Sequence, residues 1–139
     1  MLRMKTIPLP LFIALALLPL APLRAHHSFA AEFDSAKPVT LAGKVTKVGW
    51  MNPHVFIYVD VTDRSGKVTH WRVESSAPNG LLREGWFKDS LKPGDAVTIQ
   101  AYLAKDEEHF AKTTSVTLPG GQRVFTGYVD ARGPNAGSR

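Results

Sequence analysis

Between positions 39 and 125 apolar and polar residues alternate in short runs. Gly, Pro, Asn and Asp clusters bound these runs, which is the period of half-buried β-strands. Val39, Leu41 and Val45 alternate with Thr40, Ala42 and Lys44 and predict a strand reaching Val48 or Trp50, in which Gly43 marks a bend or bulge. Met51-Asn52-Pro53 turns the chain. His54 to Val61, HVFIYVDV, is the clearest strand, with Val55, Ile57, Val59 and Val61 on one face and His54, Phe56, Tyr58 and Asp60 on the other. Asp63 to Lys67 is a hairpin turn with Gly66 in the left-handed position, and Val68 to Ser75 returns. That turn sets a register of Asp60 with His70, Tyr58 with Arg72, Phe56 with Glu74 and His54 with Ser76. It places Val59 opposite Trp71 and Ile57 opposite Val73, so apolar residues meet on one face.

Pro78-Asn79-Gly80 interrupts the β pattern. Leu81 to Leu91 predicts a short helix, with Asn79 as its cap and Leu81, Leu82, Trp86 and Phe87 as its buried side. A turn at 92–95 leads to a strand from Ala96 to Leu103 with Val97, Ile99, Ala101 and Leu103 inward. A charged loop spans Ala104 to Ala111, a strand runs from Thr113 to Leu118, and Val124-Phe125 pairs back. Three strands, a helix and two strands give the expected fold, all-β with one short helix. The order is that of an OB-like five-stranded Greek-key barrel over residues 39–126. An SH3-like barrel or a sandwich is the alternative. Residues 26–38 lack periodicity and read as an N-terminal arm, and 127–139, rich in Gly, Asn and Arg, as a disordered tail.

The first 25 residues are of another kind. Arg3 and Lys5 precede the apolar run LPLFIALALLPL at 9–20, which is short for a membrane span, and Ala25 offers a small residue before a cut. Residues 1–25 therefore read as a signal peptide, and the mature chain as periplasmic, soluble and without a membrane anchor. Of seventeen basic residues, Arg3, Lys5 and Arg24 leave with the signal. The remaining fourteen face twelve acidic ones, a net charge of +2. So small a surplus argues against nucleic acid as a partner. With no cysteine, the chain carries neither disulfides nor a lipid, and any metal must be held by histidine or carboxylate.

Several short motifs stand out: AHHSF at 25–29, EFD at 32–34, VTLAGKV at 39–45, WMNPH at 50–54, WRVE at 71–74, LLREGW at 81–86 and LKPGD at 91–95. In these the chain resembles a family of small exported bacterial proteins classed as a domain of unknown function. The resemblance implies that His26, His27, Trp50, Asn52, His54 and Glu74 lie in motifs typical of that family. It implies no activity.

The five histidines carry the candidate chemistry. A cut after Ala25 leaves His26 with a free α-amine beside its imidazole, a chelating pair to which His27 or His54 adds a second ring. Such a set resembles the histidine brace of secreted copper proteins, and nitrogen donors in a near-planar arrangement suit Cu(II). The alternative is that polar residues simply follow a cleavage site. Against that, Phe29 and Phe33 are aromatics a solvated tail does not need, and they suit an arm pinned to the barrel. His54 is the expected ligand at the barrel mouth, with Glu74 orienting its ring; capping a strand end is its other reading. His54 and His70 lie at opposite ends of the hairpin, six residue steps or about 20 Å apart, and His70 pairs with Asp60 at the surface. His109 in DEEH approaches His54 only if the loops between strands one and two and four and five adjoin, and otherwise it is a solvated loop tip.

Three functions compete. The first is a metal-binding protein, for copper, working in handling or delivery. The second is a binding or assembly module for an exported protein partner or ligand, with the histidines incidental. The third is a copper-dependent oxidase. Ser28, Ser75 and Ser76 lack the context of a hydrolytic nucleophile.

Overall fold

The computed structural model describes residues 29–126. A single helical turn, α1 (Phe29–Glu32), runs into β1 (Phe33–Gly49). Then follow β2 (Phe56–Thr62), β3 (Val68–Glu74), α2 (Pro78–Arg83), β4 (Ala96–Ala104), β5 (Phe110–Thr117) and β6 (Arg123–Phe125). The fold is mostly β, with strand order β3-β2-β1-β4-β5-β6. All these neighbours are antiparallel, and β3 makes an additional parallel pairing with β5.

β1 is long because it serves two partners. Val39 to Lys44 pair with β4, and Lys44 to Gly49 with β2, the register shifting between Val45 and Lys47. Gly43 sits where β1 crosses closest to β2, and a Cβ there would collide with the Asp60 carbonyl and with Val59 Cγ1. The 92–95 turn packs on this bend: Gly94 N donates to the Val45 carbonyl and Val45 N to that of Asp95, at 2.7 and 2.9 Å.

The β2–β3 hairpin has the expected register, from Phe56↔Glu74 to Asp60↔His70. Its turn closes as the sequence suggests. Gly66 has φ of 85°, and Asp63 Oδ1 accepts from Ser65 N, Ser65 Oγ and Lys67 N at 2.8, 2.6 and 3.0 Å. Val45, Val55, Ile57, Val59, Val73, Ile99, Ala111 and Val116 form the core, closed by Leu81, Trp86 and Leu91 from the α2 segment. Burying each large aliphatic side chain contributes about 1.5–3 kcal/mol.

Three elements differ from the sequence reading. Residues 33–38 are strand rather than arm. Phe33 pairs with Ala104 and Pro38 with Tyr102, the residues between bulging outward, and at a bulge Pro38 removes no ladder bond. The helix is Pro78–Arg83, not 81–91. Ala77 is its N-cap and Asn79 lies inside it. Gly85, at φ of 83°, ends it and turns Trp86 inward while Leu82 and Phe87 are exposed. Finally, β5 starts at Phe110, inside the expected loop, because its first residues pair with β3.

Candidate functional site

The even-numbered positions of β2 and β3 face away from the core and create a second layer of chemistry. The pairings Phe56↔Glu74, Glu74↔Lys112 and Lys112↔Tyr102 form one row across four strands. An ionisable pair in the middle of such a row would normally be solvated. Here the segment before β1 covers it. Phe29 stacks on Phe33 (5.5 Å between centroids) and meets Tyr102 edge-on (5.7 Å), and Phe33 meets Phe110 (5.2 Å). Lys105 N also donates to the Glu32 carbonyl at 2.9 Å. A four-residue helix would not persist alone, and these ring contacts and the Lys105–Glu32 hydrogen bond tie it to the sheet.

Under this cover Lys112 Nζ lies 2.7 Å from Glu74 Oε1, with the two side chains 10% and 8% exposed. Lys112 also donates to the Ser75 carbonyl at 2.9 Å. His54 Nδ1 lies 2.9 Å from the same Oε1, its ring 42% exposed. A carboxylate accepts only, so Nδ1 carries the proton of this hydrogen bond, and in the neutral form of the ring Nε2 is the nitrogen that has a lone pair. This is how a carboxylate orients an imidazole that binds a metal. The His54 side chain makes no other hydrogen bond or ion pair among the described residues.

Beside Glu74 an open groove of about 450 Å³ is lined by Ala31, Glu32, Phe56, Arg72, Asp106, Glu107 and Phe110, among others. Arg72 lies over the Phe110 ring at 4.1 Å and forms a fork with Glu107 at 2.7 and 2.9 Å. The groove is thus lined by aromatic rings and by several carboxylates, Glu74 among them, with Arg72 paired to one of these.

The predicted ligands divide into three groups. His26 and His27 lie outside the described residues. His54 and Glu74 are brought together. His109 is not with them: its ring meets Trp71 edge-on at 5.2 Å, its backbone has φ of 56°, and its carbonyl accepts from Arg72 N. His70 pairs with Asp60 at 2.6 Å on the surface, its ring 82% exposed. Among the described residues no three His, Asp or Glu side chains are grouped to hold a metal. Sequence reasoning missed Lys112. It follows Phe110-Ala111 in a stretch that reads as loop, and its partner is found only through the parallel β3–β5 pairing.

A family model, described as a family of unknown function and designated DUF6152, matches residues 16–121. The chain belongs to this family. The matched range of DUF6152 includes every motif from AHHSF to LKPGD. No curated protein matches the chain. Among solved structures, a mitochondrial single-stranded DNA binding protein from S. cerevisiae, Rim1, is similar at 9% identity and a TM-score of 0.45. The match covers 62% of this chain and 93% of that one. So slight a likeness carries no argument about ligand, and the expectation of no nucleic-acid partner rests on charge alone. No helix among the described residues is long and apolar enough to cross a membrane.

Proposed function

We propose that this DUF6152 chain is an exported, periplasmic copper-binding protein that works in handling or delivery. Processing after Ala25 makes His26 the first residue. Its α-amine and ring chelate the ion, and His27 or His54 adds a further imidazole. The observation that carries this reading is the His54–Glu74 hydrogen bond, which occupies Nδ1 of a half-exposed ring and so makes Nε2 the nitrogen available to a metal when the ring is neutral. The position of α1 supports it as well. Ala31 and Glu32 line the same groove as Glu74, and the three residues from Phe29 back to His26 span at most about 11 Å. Lys112 offsets the Glu74 charge, so the pair adds none to the site. We read the ring of pairings β1-β2-β3-β5-β4 as an OB-like Greek-key barrel that presents His54 at its rim.

Copper titration of the chain beginning at His26 tests this, alongside His26→Ala and His54→Ala. Affinity should fall by at least tenfold in each variant. Equal affinity in all three, or a processed terminus at Ser28 or beyond, would remove the site. A second reading, a binding module for an exported partner, is favoured by one observation. Leu82 and Phe87, both at or beside the LLREGW motif, are exposed. Oxidase activity would need turnover with a reductant and oxygen, which binding does not supply.

A further inference from the structure

A second row of paired residues crosses β1, β4, β5 and β6. Thr40 pairs with Gln100, Gln100 with Ser115, and Ser115 with Phe125. Unlike the row through Glu74 it holds no carboxylate. Its side chains are bonded to one another: Thr40 Oγ1 donates to Gln100 Oε1 at 2.8 Å, and Arg123 Nε donates to Ser115 Oγ at 3.0 Å. Ser115 is only 1% exposed, so Arg123 is anchored to a buried hydroxyl, and the Phe125 ring flanks its guanidinium at 5.5 Å. These bonds leave a set of donors over. Nη1 and Nη2 of Arg123, the amide N–H group of Gln100 and the Thr117 and Tyr102 hydroxyls donate no hydrogen bond among the described residues. All four residues line one open groove of about 450 Å³, and no carboxylate lines it among the described residues. Arg72, also over an aromatic ring, has its Nη2 on Glu107 at 2.7 and 2.9 Å, whereas Arg123 forms no ion pair among the described residues.

We propose that this groove binds a phosphate group, free or as the monoester of a small molecule. The Nη1–Nη2 fork of Arg123 takes two of its oxygens, and Gln100 and Thr117 donate to the others. An arginine held at Nε keeps its fork in one orientation, which a two-point contact to an oxyanion needs. Register brings the donors together: the guanidinium reaches Ser115, and Ser115 lies directly across from Gln100. A carboxylate has two oxygens in one plane, and the fork alone would meet both. Further donors on β4 and β5 suit a tetrahedral group. Phe125, exposed beside the fork, gives the organic part of an ester an apolar surface. Ser115 is then a positioning residue that acts through Arg123.

The test is a titration of the metal-free protein with inorganic phosphate, read by amide resonances, against sodium chloride at matched ionic strength. Saturable shifts at Gln100, Thr117 and Arg123 are expected in the low-millimolar range, with the 63–67 turn unmoved. Arg123→Lys keeps the charge and loses the fork, and it should bind phosphate about tenfold more weakly. Thr117→Val removes one donor on a different strand and should weaken binding about threefold. Neither residue is buried, so both variants should keep the parent's unfolding midpoint. Glycerol phosphate should bind at least as tightly as inorganic phosphate, and acetate more weakly. Shifts that chloride reproduces, or equal phosphate affinity in the parent and Arg123→Lys, would overturn the site. Acetate bound as tightly as phosphate would overturn the choice of ligand. No copper is added, so none of these results bears on the metal site.

Discussion

His54 Nδ1 and Lys112 Nζ meet at a single oxygen, Glu74 Oε1, at 2.9 and 2.7 Å. The carboxylate therefore does two things at once. It compensates a lysine that the N-terminal segment has buried, and it fixes the orientation of a histidine at the edge of that cover. Structure and candidate site depend on the same group.

Removing one member of the buried pair leaves the other uncompensated. Lys112→Met should lower stability by about 3 kcal/mol, seen as a lower midpoint in urea unfolding with an unchanged slope. Adding Glu74→Leu to it should recover part of that loss, since no charge then stays buried.

The cover should be separable from the core. Phe29 packs on Phe33 and Tyr102 and is half-buried, whereas Phe33 is buried. Phe33→Ala should cost about 3–5 kcal/mol. Phe29→Ala should cost less, yet speed hydrogen exchange at Phe110 to Lys112 more than at Val55 to Val59. Uniform acceleration across both strands would show that the cover and the core open together.

Much of this architecture is legible in the chain. The hairpin is the clearest case: Asp63 and Gly66 fix the turn, and the alternation on either side leaves one register in which apolar residues meet. That register alone brings Glu74 near His54. Lys112 was hidden because its contact joins segments 38 residues apart through a parallel pairing that no local pattern encodes. The start of β1 was hidden by Pro38, which reads as a stop but lies at a bulge. Leu82 and Phe87 fit a helical stripe as well as Leu81 and Trp86 do. The helix ends at Arg83, so the stripe does not continue: Leu81 is buried and Leu82 exposed within it, and beyond the left-handed turn at Gly85 Trp86 turns inward while Phe87 stays exposed.

Gly43 is the position where one carbon should do most harm. Gly43→Ala forces a Cβ into the Asp60 carbonyl and should cost 2 kcal/mol or more, roughly the upper range for overpacking. Thermal unfolding measures it, and a midpoint equal to the parent's would mean that β1 and β2 do not approach so closely.

The hairpin turn carries a pH signature. Hydrogen bonds from the Ser65 hydroxyl and the Lys67 amide hold the Asp63 carboxyl below its ordinary value of 3.8. A group whose value is depressed in the folded state stabilises above its unfolded value, and that contribution is lost as pH falls through the folded one. Asp63→Ala should therefore be less stable than the parent at pH 7, and the gap should narrow below about pH 4. A gap unchanged down to pH 2 would contradict the role given to these bonds.

The most direct test of the copper site is the electron paramagnetic resonance of one equivalent of Cu(II) on the chain beginning at His26. The account predicts nitrogen hyperfine structure that loses one imidazole in His54→Ala, with the Glu74–Lys112 pair intact by unfolding midpoint. Spectra of parent and His54→Ala that superimpose would contradict it.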